Sequence, residues 1–199
     1  MTFPFKTRRW LLPALLVPTL VVASPGSSTP LPTGLPSFLV STRTMSPLEP
    51  ANLRRHYQAA AADKAAGEKF YQLLADYQAH DALVLGYKGA AEAIRARDAS
   101  MFNKLTYVQQ ASRTFEQAVA LAPANAEIRF LRFSVESNLP PFLGLSKHID
   151  EDKALLLQSA LEHPKSGLDA EAFRTVRSFL VDRGHVSEEE AKQLNKVVI

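Results

Sequence analysis

From Pro50 to the end of the chain, apolar residues recur three and four positions apart, and the stretches that carry them are separated by short runs rich in Pro, Gly, Asn and Asp. No part of this region keeps the every-second-residue alternation that strands need. The period predicts helices throughout, because only a turn of about 3.6 residues gathers positions i, i+3, i+4 and i+7 on one face. Leu53, Tyr57 and Ala60 mark a first helix, and Phe70, Leu73, Leu74 and Tyr77 a second, reached across Asp63 or Gly67 or continuous with the first. Asp81 stands as N-cap of a third, with Leu83, Tyr87, Ala90, Ala91 and Ile94 facing inward and Lys88, Glu92 and Arg95 facing water.

A fourth helix runs from about Asn103 to Leu121 on the stripe Val108, Ala111, Phe115, Ala118 and Val119, and Ala122-Pro123-Ala124-Asn125 ends it. The fifth opens at Ala126 with Ile128, Leu131 and Val135 on one side and Phe130 and Phe133 near a second, the width of apolar surface expected of a helix between neighbours. Asn138-Leu139-Pro140-Pro141 stops it. Ile149 to Leu161 is helical, Pro164 to Gly167 interrupts, Asp169 to Asp182 carries Phe173, Val176, Phe179 and Leu180, and Ser187-Glu188-Glu189-Glu190 forms a capping box before a last helix. The expectation is an all-α domain of about seven or eight helices.

The residues before this domain divide in two. Lys6, Arg8 and Arg9 precede the apolar stretch Trp10 to Val22, which ends in Ala23 and Ser24, the layout of an export signal cut after Ala23. An uncleaved anchor is the alternative, although the stretch is shorter than the roughly 20 apolar residues a spanning helix needs. Residues 24–50 are rich in Pro, Ser and Thr and read as an extended linker whose apolar island is Phe38-Leu39-Val40. The expected organisation is therefore a signal peptide over 1–23, a linker over 24–50 and a helical domain over 51–199. It places the protein in the periplasm or outside the cell, with no membrane span once the signal is removed.

Charge adds an exclusion. The chain carries 23 Lys and Arg against 20 Asp and Glu, with a pI near 9.2. The signal holds three of the basic residues and none of the acidic ones, so its loss leaves the two signs equal. The basic pI belongs to the precursor and offers no argument for nucleic acid as a partner. There is no cysteine, so an exported domain of this kind has no disulfides and rests on packing.

The run from Ala111 to Asn125, with Ala111, Phe115, Ala118 and Pro123 at its key positions, resembles the second helix and exit turn of a tetratricopeptide repeat. Small residues let two antiparallel helices approach, an aromatic fills the gap, and a proline ends the pair. The resemblance implies a short right-handed superhelical stack of antiparallel hairpins over about residues 64–161, acting as a scaffold that binds a protein or peptide and catalyses nothing. The family's repeat is about 34 residues, and Gly89 lies too far before Ala111 for that length. The third and fourth helices must then be longer than usual, or Asp98 to Asn103 is an insertion.

Arrangements that carry chemistry are scarce. There is no Gly-rich phosphate loop, no His-Glu-x-x-His pair and no serine framed as a nucleophile elbow. No cofactor is expected. His148-Ile149-Asp150-Glu151-Asp152 groups an imidazole with three carboxylates, which suits a metal-dependent hydrolase built on His148, Asp150 and Asp152; the simpler account is a helix start, with Asp150 as cap and the other acids complementing the dipole. A third possibility is a structural envelope component without a ligand groove. For the binding reading, Arg95, Arg129, Arg132 and Glu136 are the candidate concave patch, with local pairing of Arg132 to Glu136 and Glu92 to Arg95 as the competing account. Tyr71, Tyr77, Tyr87, Phe102 and Phe130 are expected in the core.

Overall fold

The structure is a computed structural model and describes residues 46–198; the proposed signal and the linker as far as residue 45 lie outside the described residues. The helices are α1 (Pro50–Ala62), α2 (Lys64–Ala75), α3 (Ala82–Asp98), α4 (Met101–Leu121), α5 (Ala126–Glu136), α6 (Ile149–Leu161), α7 (Ala170–Asp182) and α8 (Glu188–Lys196), with a short 3-10 turn at Pro141–Leu143. No strand occurs among the described residues.

The boundaries follow from side chains that satisfy the orphan amides of each first turn. Pro50 begins α1, where its missing N–H costs nothing. Asp63 divides α1 from α2, its carboxylate accepting from the N–H of Ala66 at 2.8 Å. Asp81, Asn125 and Asp169 cap α3, α5 and α7 in the same way. Ser187 and Glu190 close a reciprocal capping box on α8. At α6 the cap is His148, without a side-chain bond, and Asp150, Glu151 and Asp152 all fall in the first turn, so Asp150 is not the cap.

Paired contacts fix the directions. Along α3 and α4, Gly89 meets Phe115, Glu92 meets Thr114, and Arg97 meets Lys104, so the two run antiparallel. Asp152 with Arg132 and His148 with Glu136 make α6 antiparallel to α5. Arg54 with Glu127 and Tyr57 with Ser134 make α1 parallel to α5, and Arg97 with Ala60 and Ala61 makes α1 parallel to α3. Consecutive helices thus form hairpins, and α1, α3, α5 and α7 lie side by side, each in contact with the next. Of the even-numbered helices, α2 packs on α1 and α3, α4 on α3 and α5, and α6 on α5 and α7.

α5 sits at the centre. Ten of its eleven residues are buried, Glu127 alone being partly exposed, because α3, α4, α6 and α7 all pack against it. That explains the apolar residues around its whole circumference. The core continues outward through Leu53, Phe70, Leu74, Tyr87, Ile94, Phe115, Leu156, Phe173, Val176, Leu180 and Leu194.

Gly89 accounts for the closest hairpin. A Cβ at this position would stand 3.0 Å from Cδ1 of Phe115 and 3.1 Å from two further ring carbons, so the aromatic lies directly on the glycine backbone. Ala111 and Ala118 flank the same seam without any exposure. Only Ala99 and Ser100 separate α3, of 17 residues, from α4, of 21. The long spacing between Gly89 and Ala111 therefore comes from long helices and not from an inserted loop.

Two expectations are corrected. Glu92 does not face water; it is 1 % exposed at the α3–α4 seam, because α4 packs over it and Thr114 and Gln110 replace its water. Phe102 is not in the core but 93 % exposed at the start of α4, beyond the reach of the helix before it. Among the described residues, no helix is long and apolar enough to cross a membrane.

Candidate functional site

Between α1, α5 and α7 runs a groove of about 110 Å³. Its lining comes from α1, α3, α5 and α7 and from the residues that directly follow α5 and α7; no even-numbered helix contributes. The contributing positions repeat at three and four residues, as in Arg54, Tyr57, Gln58 and Ala61 on α1 and Ala172, Val176, Phe179 and Arg183 in and just past α7. Thus α1, α5 and α7 each give the groove one stripe, and α3 gives it Tyr87.

One end is polar and closed by ions. Because α1, α5 and α7 begin at the same level, the carboxylates that complement the N-terminal dipoles of α5 and α7 come together there beside α1. Arg54 bridges them, holding both oxygens of Glu127 at 2.7 Å through Nε and Nη2 and Oδ2 of Asp169 at 2.6 Å through Nη1. Glu171 lies 3.8 Å from the same Nη1. The hydroxyl of Tyr87 donates to Glu127 at 2.6 Å. The hydrogen bond to Glu127 raises the pKa of the Arg54 guanidinium above its ordinary value. Burial, reinforced by the charge of Glu127, raises that of the Tyr87 phenol. Burial resists ionisation of Asp169, yet the amide of Ala172 and the Arg54 guanidinium still hold its carboxyl below the usual range.

The middle of the groove is apolar, floored by Phe130 and Leu131 and walled by Ala172, Val176 and Phe179. Phe179 meets Phe130 edge to face at 5.3 Å between centroids and stacks with His185 at 5.0 Å, which fixes this wall. Toward the other end Ser137, Asn138, Arg183 and His185 supply polar groups.

The sequence-predicted patch lies elsewhere. Arg129, Arg132 and Glu136 are buried and do not line the groove. Asp152, fully buried on α6, accepts from Arg129 Nη1 at 2.7 Å, Arg132 Nε at 2.7 Å and Arg132 Nη2 at 2.6 Å. Arg129 also bonds Glu151 and the carbonyl of Pro123. Arg132 therefore pairs with the next helix and not with Glu136. The latter accepts from the backbone N–H of His148 at 2.8 Å and lies 2.8 Å from its Nδ1. These residues fasten α5 to α6, a role that a helix sandwiched between neighbours forces on its polar side chains, since buried charges need partners.

Arg95 is on the outer side of the molecule, 4.1 Å over the Tyr71 ring and 5.1 Å from that of Tyr107, and bonded to Glu68 instead of Glu92. The residues named for a metal site also diverge. The His148 ring turns to Glu136, Asp150 is exposed, and both oxygens of Asp152 are held by cationic guanidiniums, which is hostile to a divalent cation. Among the described residues, no group of three or more His, Cys, Asp or Glu is placed to hold a metal ion.

The groove residues carried only a partial sequence signal. Tyr57, Phe130, Val176 and Phe179 were legible as apolar stripes, but their exposure to a concavity depends on which helices are neighbours. Compared with protein-family models, with curated proteins and with solved structures, the chain gives no match.

Proposed function

We propose that this is an exported, tetratricopeptide-like scaffold that binds a protein or peptide segment in the groove between α1, α5 and α7, without catalysis. One observation carries the reading: the concavity is lined by the odd-numbered helices, which are parallel and adjacent, and by residues that directly follow two of them, while no even-numbered helix contributes. A stack of hairpins produces this layout, with its first helices facing inward. An apolar floor with polar groups at both ends is what a recognition groove for a polypeptide requires. The export signal and linker read from residues 1–50 would deliver and space such a module.

A photo-crosslinking amino acid at Gln58, exposed on the groove wall, should capture a partner in the native compartment, whereas one at Arg113, exposed on α4, should not. A partner captured from Arg113 and not from Gln58 would move recognition to the other face and sink the proposal.

A further inference from the structure

We infer that the chain's own linker occupies the groove, with Phe38-Leu39-Val40 over Phe130, Leu131 and Val176 until a partner displaces it. This rests on the binding reading above and adds an internal competitor that decides when the groove is open. Within residues 24–45, Leu31 stands between Pro30 and Pro32 and Leu35 precedes Pro36, whereas residues 37–46 contain no proline and keep their backbone donors. Phe38-Leu39-Val40 is the apolar run of that stretch. Arg43 is the one charged residue from 24 to 45, so docking these three side chains takes no charge out of water. The groove's apolar middle, about 110 Å³, suits one aliphatic side chain such as that of Leu39, being smaller than the ~150 Å³ cavity that holds benzene.

The point where the linker joins the domain puts the groove within its reach. Ser46 is tied beside the first turn of α1, its carbonyl accepting from the N–H of Glu49 at 3.0 Å and from Nδ2 of Asn52 at 2.7 Å. By helical spacing Asn52 lies on the side of α1 away from the groove stripe of Arg54, Tyr57 and Ala61, so the linker must cross α1 over its exposed residues Ala51, Arg55 and Ala59. A helix is about 10–12 Å across, and Tyr57 lies five residues beyond Asn52, about 7.5 Å, which together make about 13 Å in a straight line. From Phe38 to Ser46 an extended chain covers about 26 Å, enough for the path around the helix. Held so near, the segment meets the groove at an effective concentration in the millimolar range. A contact too weak to form between separate molecules then fills the site, and a partner binds with its affinity reduced by the fraction of chains whose groove is open. Residues 38–40 follow the proposed signal, so its removal leaves the competitor in place.

The test uses the full chain and a terminally blocked peptide of the linker's own sequence, Pro-Ser-Phe-Leu-Val-Ser, titrated by calorimetry. The triple variant Phe38→Ser, Leu39→Ser, Val40→Ser, altered only outside the helical domain, should bind this peptide about threefold or more tightly than the parent, because the internal competitor is gone. Equal affinity in the two proteins, or no binding to the triple variant at millimolar concentration, overturns the inference. Adding Thr175→Arg, or Gln58→Arg on the facing wall, to the triple variant should abolish binding, with helicity checked by circular dichroism. Binding that survives both places the peptide elsewhere and overturns the groove as its seat. A photo-crosslinking phenylalanine analogue at Phe38 should link to α5 or α7 within one molecule; links to α4, or only between two copies, overturn the internal occupant. Failure of these tests while Gln58 still captures a partner removes the internal competitor and leaves the binding reading intact.

Discussion

Replacing Asp152 with asparagine keeps the shape of the side chain and removes the fully buried carboxylate that two buried guanidiniums share. Asp152 is 0 % exposed and accepts three charge-assisted bonds of 2.6–2.7 Å from Arg129 and Arg132. Breaking a buried ion pair from one side costs about 3–5 kcal/mol, because the surviving charge loses its partner but not its burial. Glu151 still reaches Arg129 and lies 3.9 Å from Arg132, so the lower end applies, about 3 kcal/mol. In a domain of this size that is a fall in Tm of about 6–12 °C, and a large share of a total stability of about 5–15 kcal/mol. Urea unfolding followed at 222 nm measures it. The companion variant Arg129→Met, Arg132→Met, Asp152→Leu removes the charges together and should lie within about 1.5 kcal/mol of the parent, since an apolar replacement avoids the desolvation cost. A loss under 1 kcal/mol in Asp152→Asn, or a triple variant worse than the single one, would refute the view that the cluster is held by mutual neutralisation.

Glu92 gives a pH-dependent outcome. Burial raises its pKa in the folded state, so its contribution to stability is fully present below the unfolded value of about 4.3 and is lost as pH rises through the higher folded value. Glu92→Gln should therefore gain stability relative to the parent as pH rises from about 4 toward 7; a constant difference across denaturation curves in that window would contradict the assignment. Gly89→Ala should destabilise by about 1–3 kcal/mol despite alanine's better helix propensity, because the new methyl meets the Phe115 ring at 3.0 Å. A Phe115→Leu background should reduce that penalty, and thermal melts of the four proteins in the cycle test the coupling.

Local patterns were enough to determine the helices. Asp63, Asp81, Asn125, Asp169 and Ser187 end or begin elements through hydrogen bonds to amides two or three residues away, and such bonds need nothing from the rest of the molecule. The all-α character and the breadth of the apolar surface on α5 were legible for the same reason, since periodicity is a property of neighbouring residues along the chain. The tertiary structure decided what each polar side chain does. Arg132 and Glu136 are spaced as a surface pair, yet α6 packs over both and supplies Asp152 and His148 as partners at 2.6–2.8 Å. Glu92 lay on the polar side of its helix until the antiparallel approach of α4, permitted by Gly89, covered it. The groove arises likewise from long-range placement, because Arg54, Glu127 and Asp169 meet across 115 residues only when three helices start at one level. Helix formation is governed by local spacing, whereas burial and ion pairing depend on which faces the folded chain brings together.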